Sequence, residues 1–227
     1  MSSVIQGNYD THPTRKVADI DVGFSGASSY FTNKGDDVTD GPTDGRTGLI
    51  SLIVDADGAR RRISTIGTSG DYNHIRGLAI WRRNFEVNFF ARFKLVDFTS
   101  CRMFIGLTDS DPATMVASAT LPTANYCGLW KDEGDTNFKF VRNDNSGGAV
   151  ETSDVALNTL VHDFHMWLKR SGGADVIIFQ LDNGDRLITS NNMPGAAVSM
   201  AFNAVIKTTA NSIRQLDIEK IHLDALY

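Results

Sequence analysis

Two acidic residues near the end of the chain are the first candidates for chemistry. Asp217 and Glu219 stand two positions apart in a segment of alternating polarity, so a strand would place both carboxyl groups on one face. Retaining glycoside hydrolysis uses two carboxyl groups held about 5–5.5 Å apart. Lys220 follows the pair where a third acid would help, and Glu86 stands alone in an earlier segment. We therefore expect a solvated strand face here and no enzymatic activity.

Aromatic residues offer a second chemistry, which is the stacking of sugars. Tyr126 and Trp130 would share one face of a strand, and the glycine between them would leave that surface open. Lys131 and Asp132 follow as hydrogen-bonding groups, so these four residues are the predicted glycan site. The alternative is that Trp130 and Trp167 pack inside the domain or against a partner subunit, and packing is the alternative we expect.

Asp-rich turns offer oxygen ligands of the kind that calcium prefers. Such turns lie at 36–40, 55–58 and 182–185, and none has the twelve-residue loop of an EF-hand. Asp and Asn beside Gly are also what tight turns require. We expect no bound metal and no cofactor, and Asp55 and Asp57 are the weak calcium candidates. The five histidines form neither a zinc motif nor a Ser-His-Asp arrangement.

Period-two alternation predicts the elements that would carry these groups. Residues 85–107 read as a half-buried antiparallel strand pair joined by a polar loop, with Phe90 as the one apolar residue on the polar side. Residues 162–170 alternate in the same way, with Asp163, His165, Trp167 and Lys169 on the polar side, and 182–185 form a strong hairpin signal. The alternation changes phase within 220–223, where we expect a β-bulge. Many short strands with polar turns predict an all-β protein, an antiparallel β-sandwich or jelly roll.

Composition and charge exclude several classes of function. The 227-residue chain has a formal net charge of −5, which argues against nucleic-acid binding. The basic run 60–62 follows an acidic turn and reads as a solvated hairpin. No apolar run is long enough to cross a membrane, and the N-terminus lacks the features of a signal peptide. We expect folding in a reducing cytoplasm, with Cys101 and Cys127 as free, buried thiols and a disulfide as the minor alternative.

The domain organisation is predicted from the polarity of the first quarter of the chain. Residues 1–47 are rich in Asp, Gly, Thr and Ser and read as an extended polar arm with loops. Residues 48–227 form the β-sandwich domain. An arm such as 1–15 is often disordered in a monomer and lies on a neighbour in an assembly.

The order of segments from Phe85 onward resembles the concanavalin A-like lectin/glucanase superfamily, in particular its laminin G-like branch. The segments that carry the resemblance are FEVNF (85–89), RMFIGLTD (102–109), YCGLW (126–130), FKF (138–140), FHMWL (164–168), VIIFQLDNG (176–184), AVIKTT (204–209) and LDIEKI (216–221). The resemblance implies a concanavalin A-like sandwich. In the glucanase branch, acids at Glu-x-Asp-x-Glu spacing line a cleft, and the acids of 217–224 lie in the last strand instead.

The resemblance also guides the expected function, because domains of this kind occur in structural proteins of tailed phages and other prokaryotic viruses. We expect a virion structural protein, such as a capsid decoration, fibre or tail component, that assembles with itself and with other virion proteins. The alternative is a lectin-like carbohydrate-binding module or receptor-binding adhesin that contacts host-surface glycans. A glycoside hydrolase is the less favoured third reading. Localisation to the virion follows from the first reading, and neither nucleic-acid binding nor membrane insertion is expected.

Overall fold

The fold is taken from a computed structural model of the chain. It describes the backbone of residues 15–20, 31–33, 48–55, 58–77, 79–171 and 174–226, and the side chains of 60–77, 79–170 and 174–225. The strands are β1 Arg15–Ile20, β2 Phe31–Asn33, β3 Gly48–Asp55, β4 Gly58–Thr65, β5 Tyr72–Gly77, β6 Asn88–Leu95, β7 Cys101–Thr108, β8 Asn125–Lys131, β9 Asn137–Asp144, β10 Gly148–Ala156, β11 Val161–Ser171, β12 Ala174–Leu181, β13 Leu187–Thr189, β14 Ala201–Thr208 and β15 Gln215–Leu226. The helices are a 3-10 turn at Arg83–Phe85 and α1 at Pro112–Met115.

The strands form two antiparallel sheets. The front sheet has the order β13-β12-β11-β6-β15-β4-β3, and β1 pairs with β15 beyond the end of β4. The back sheet has the order β10-β9-β8-β7-β14-β5-β2. The expected all-β, antiparallel sandwich of the jelly-roll type is confirmed.

One continuous apolar core lies between the sheets. Alternation turns Phe89, Ala91 and Phe93 of β6 inward, and all three are buried. The ring of Phe89 lies 5.7 Å from that of Phe202 in the back sheet. Phe93 likewise packs edge-on against Phe138, also at 5.7 Å. Both sheets turn their apolar faces toward this core. Their outer faces therefore carry polar groups or are covered by another segment of the chain.

Most of the predicted hairpins form, but the strand pair predicted within 85–107 does not. The hairpins β3–β4, β8–β9 and β12–β13 are present. By contrast, β6 pairs with β11 and β15 in the front sheet, and β7 pairs with β8 and β14 in the back sheet. The loop between them therefore crosses from one sheet to the other. Alternation shows which residues face the core, but it does not identify a strand's partner.

The predicted bulge lies one residue earlier than expected. The pairing of β15 with β6 shifts register between Ile218 and Lys220, so Glu219 is the extra residue. Without this bulge, His222 and Asp224 would lie on the opposite face from Asp217. With it, Ile221 and Leu223 are buried in the core. The bulge thus turns His222 and Asp224 to the outer face of the front sheet.

The cysteines and the first 47 residues were also the subject of predictions. Cys101 and Cys127 are both free and buried, as expected for a reduced protein. Within residues 1–47, β1 pairs with β15 and β2 pairs with β5, and the remainder of that region lies outside the described residues. The strand β5 was not among the predicted strands. In the part of the chain that the structure describes, no helix is long and apolar enough to cross a membrane.

Candidate functional site

The predicted glycan platform is not an exposed surface. Tyr126 and Trp130 are only 1% and 3% exposed, and both belong to an apolar cluster on the outer side of the back sheet. The cluster is completed by Met115 of α1 and its neighbour Val116, so the segment between β7 and β8 covers these rings. Packing, the alternative that we expected for Trp130, is what the structure shows.

The glycine of the predicted platform has a packing role. A Cβ atom added at Gly128 would lie 2.5 Å from the carbonyl oxygen of Ile105 and 2.9 Å from the Cα of Gly106. Phe104 is the next nearest neighbour, at 3.0 Å. This position therefore brings two strands and a ring close together, and it leaves no open surface for a sugar.

The polar neighbours of the platform are also engaged. Lys131 is fully buried, and its Nζ donates to the carbonyl oxygens of Cys101 and Asp132, both at 2.8 Å. Burial lowers the pKa of Lys131. The Asp132 carboxylate accepts from Arg102 Nε at 2.6 Å. Neither side chain is free to act as a hydrogen-bonding group for a ligand.

The calcium candidates cannot be placed as ligands. The side chain of Asp55 and the whole of Asp57 lie outside the described residues. Among the described side chains, no group of three or more His, Cys, Asp or Glu residues is arranged to hold a metal ion. The expectation of no bound metal, with Asp55 and Asp57 as weak calcium candidates, therefore stays a prediction.

The acid pair of β15 is divided by the bulge. Asp217 is fully buried and accepts from Arg60 Nε at 2.8 Å and from Arg62 Nε at 2.7 Å. Glu219 is partly exposed, and burial raises its pKa while Arg92 and Arg60 lower it. The two arginines cover Asp217, so this carboxylate has a structural environment instead of a reactive one.

The outer face of the front sheet carries a different set of chemical groups. Three central strands place their outward side chains in register, in three rows that cross β11, β6 and β15. We call these nine residues the front grid. Its rows are Asp163–Arg92–Lys220, His165–Phe90–His222 and Trp167–Asn88–Asp224.

The rings of the front grid form a partly exposed cluster. The imidazole of His165 stacks on Trp167 with the ring centroids 5.2 Å apart, and it lies 4.7 Å from the ring of Phe90. Arg186 places its guanidinium carbon 5.5 Å from the centroid of the Trp167 ring. Burial lowers the pKa of His165, so its ring is neutral at pH 7. The cluster therefore combines apolar ring surface with a neutral imidazole.

The polar groups on the β15 side of the grid hold one another in place. Asn88 donates to Asp224, which is nearly buried, and His222 Nε2 lies 3.5 Å from the same carboxylate. A carboxylate beside an imidazole orients the ring. His222 is therefore positioned by its own strand and by β6.

Some charged groups at the grid are paired with an opposite charge and others are not. Arg92 and Asp163 make two parallel hydrogen bonds, each 2.7 Å long. Lys220 and Arg186 are exposed, and neither makes an ion pair with a carboxylate of the described residues. Asp163 and Asp224 are thus bonded within the grid, Glu219 lies beside it and acts on Arg92, and the cations of Lys220 and Arg186 are available to a ligand.

An open groove of about 500 Å³ lies over the grid. Aromatic walls with a few convergent polar groups are the usual makeup of a ligand site. The groove is lined by Asn88, Phe89, Phe90, His165, Trp167, Lys220 and His222. Since residues from β6, β11 and β15 all contribute, the site exists only in the folded sheet.

The sequence carries signals for this site, which are aromatic residues on the polar sides of two strands. Phe90 was noted as the apolar exception on the polar side of its strand, and Trp167 and His165 were assigned to the polar side of theirs. An outward aromatic residue that no other segment covers leaves its ring available to a ligand. Sequence alone could not place β11 and β15 on the two sides of β6.

No family model matches the chain, and no curated protein matches it. Solved structures do match. A β-glucanase of Bacillus licheniformis superposes with a TM-score of 0.60 at 11% identity, over 90% of this chain and 97% of the glucanase. An endo-β-1,4-glucuronan lyase of the fungus Trichoderma reesei gives 0.53 at 12% identity, over 86% and 90%. A carbohydrate esterase of the Shiga toxin-encoding bacteriophage phi24B gives 0.53 at 12%, over 79% and 88%.

These comparisons contradict the expectation that the chain is not an enzyme, because all three proteins are named as enzymes. The absence of a paired-carboxylate motif excludes only one of the chemistries that this scaffold can carry. At this level of identity the likeness itself shows the fold. The protein has a concanavalin A-like, glucanase-type β-sandwich fold.

Proposed function

We propose that this protein is a carbohydrate-active enzyme whose substrate chain lies across the front grid. The observation that carries the proposal is the groove that holds partly exposed Phe90, His165 and Trp167 beside His222. The named activities of the similar structures, which are a glucanase, a lyase and an esterase, support a carbohydrate substrate.

The groove suits a sugar because it joins apolar and polar surface. A pyranose ring presents C–H groups on its faces and hydroxyl groups on its edge. The rings of Phe90 and Trp167 offer apolar contact to such faces. Asn88 and His222 also line the groove and offer hydrogen bonds to hydroxyl groups. An open groove also accepts an internal stretch of a polymer, whereas a closed pocket would accept only its end.

The groove also holds groups that can transfer protons. His165 is neutral at pH 7 and lies in the ring cluster, and His222 stands beside Asp224 on the opposite side of Phe90. Two imidazoles in different electrostatic surroundings can supply a base and an acid to one bond. This arrangement supports bond cleavage in addition to binding.

The test is to incubate the full chain with a panel of neutral and acidic polysaccharides and to measure both binding and the release of oligosaccharides. We expect cleavage of at least one polymer, and we expect Trp167→Ala to weaken binding of that polymer at least about tenfold, the loss of roughly 1.4 kcal/mol. The matched control is Lys169→Ala, an exposed outward residue of the same strand that does not line the groove. A chain that neither binds nor cleaves any polymer would refute the proposal.

A place for this enzyme on a virion is a second candidate. It is favoured by the similarity to the bacteriophage carbohydrate esterase, which covers 79% of this chain. Mass spectrometry and immunogold labelling of purified virions from the source of the gene would test it. Particles that lack the protein would contradict it.

A further inference from the structure

The charge of the groove indicates the kind of sugar that it takes. The residues that line the groove include Lys220 and two histidines but no carboxylate. Of the neighbouring acids, Asp163 is bonded to Arg92 and Asp224 to Asn88, and Glu219 interacts with Arg92 and Arg60. In a chain of net charge −5, the lining of the groove itself thus offers a ligand the charge of Lys220 and no carboxylate. A sugar carboxylate can pair with this charge, whereas a neutral polysaccharide has no group that does so.

Arg186 supplies a second cation at the other end of the grid. Its Nε donates to Gln180 Oε1 at 3.1 Å, and Gln180 pairs in register with His165. This bond holds the guanidinium above Trp167 and leaves its two terminal nitrogens outside the bond to Gln180. A planar guanidinium with two free nitrogens matches a carboxylate in geometry as well as in charge.

The chemistry of the groove points away from hydrolysis. Glycoside hydrolysis in its common form needs two carboxyl groups beside the bond, and the lining holds none. Elimination beside a sugar carboxylate has other needs. It requires one base, a cation that stabilises the charge developing on the carboxylate, and a proton donor for the leaving oxygen. Neutral His165, cationic Arg186 and His222 are groups of these three kinds.

We infer that the front grid takes an anionic polysaccharide containing uronate units and cleaves it by β-elimination, with His165 as the base. This inference rests on the proposed function and names its substrate class and reaction. Arg186 holds the uronate carboxylate, and His165 lies between Phe90 and Trp167 to receive the proton from the adjacent carbon. Lys220 contacts the carboxylate of a neighbouring unit.

The reaction balances without a further reactant. The C5–H bond breaks, and the proton goes to the imidazole of His165. The electron pair of that bond forms the C4=C5 double bond as the C4–O bond breaks. The leaving oxygen stays on the next sugar and takes a proton from His222. One chain gives two products, of which one ends in an unsaturated uronate, and no water is consumed.

The experiment compares uronate polymers, namely alginate, polygalacturonate, glucuronan and hyaluronan, with the same polymers after chemical reduction of their carboxyl groups. Ultraviolet absorbance follows the new conjugated double bond, and a colorimetric assay follows the new reducing ends. We expect both signals to rise together on at least one native polymer and neither to rise on its reduced form. His165→Gln should slow turnover at least about 100-fold while polymer binding is kept.

Arg186→Gln should raise KM on the cleaved polymer at least about tenfold, because it removes the charge that holds the carboxylate. The matched control is Arg170→Gln, which removes an equally exposed arginine outside the grid. Thermal unfolding of each variant checks that the fold is kept.

The outcomes separate the two proposals. Reducing ends without the double bond would mean hydrolysis, which overturns this inference and keeps the proposed function. Cleavage of reduced polymers as fast as native ones would also overturn it, and so would binding without cleavage of any uronate polymer. A chain that binds no polysaccharide would overturn both proposals.

Discussion

The outer faces of both sheets carry aromatic side chains, which are buried on the back sheet and partly exposed on the front sheet. The back sheet carries Tyr126 and Trp130 outward, and α1 with its flanking segment covers them. The front sheet carries Phe90 and Trp167 outward, and these rings line an open groove. Alternation along a strand separates the core face from the outer face in both sheets. Whether an outward ring is a structural or a binding residue depends on the chain that lies over it, which strand patterns do not reveal.

The largest expected effect comes from exchanging the two tryptophans for alanine. Trp130→Ala should lower the free energy of unfolding by about 3–5 kcal/mol, since it empties a buried volume in the back cluster. Trp167→Ala should cost no more than about 1 kcal/mol, because its ring is partly exposed, and it should impair polysaccharide binding instead. Urea denaturation of both variants makes the comparison. Equal losses of stability would break the contrast between the faces.

A second contrast lies within the front sheet, between the buried carboxylate of Asp217 and the partly exposed carboxylate of Asp163. Asp217→Asn should lower the free energy of unfolding by about 3–5 kcal/mol, because Arg60 and Arg62 then keep charge without their buried partner. Asp163→Asn breaks the exposed pair with Arg92 and should cost about 0–1 kcal/mol. Chemical denaturation at low and moderate salt compares the two. If the Asp217 variant were as stable as the parent, the ion pairs of Asp217 with Arg60 and Arg62 would not stabilise the sheet.

A smaller effect should appear in the pH dependence of stability. Burial depresses the pKa of His165 below its ordinary value of 6.5, Asp163 raises it and Arg186 lowers it. Between the folded and unfolded pKa values the unfolded chain binds more protons, so stability falls as pH drops below about 6.5. His165→Gln should flatten that part of the curve. Thermal melts from pH 7.5 to pH 5 would show it, and an unchanged slope in the variant would contradict the assignment.

The sequence was sufficient for the fold and for parts of the site. Alternation correctly placed His165 and Trp167 outward on β11, and the change of phase near Lys220 correctly indicated a bulge. It did not place β11 and β15 on the two sides of β6, because strand partners separated by about 70 to 130 residues leave no local signal. The covering role of α1 was also hidden, since its four residues show no strong amphipathic pattern.

The expectation of an open surface at Tyr126 and Trp130 meets the same limit. Tyr126 and Trp130 have the spacing of a stacking platform, and nothing in β8 itself shows that Met115 and Val116 lie over them. Phe90 looked like an irregularity in its strand, and the structure makes it the centre of the grid. The segment that covers a ring, and not the spacing of rings along a strand, thus distinguishes the two faces.

The most direct test of the account is radical footprinting of the three tryptophans, read by mass spectrometry, with and without the polysaccharide that the protein binds. Trp81 and Trp130 are buried, so we expect Trp167 to be the tryptophan that is oxidised in the free protein and protected when the sugar is bound. Protection at Trp130, or oxidation of Trp167 that bound sugar leaves unchanged, would contradict the claim that the front grid is the functional site.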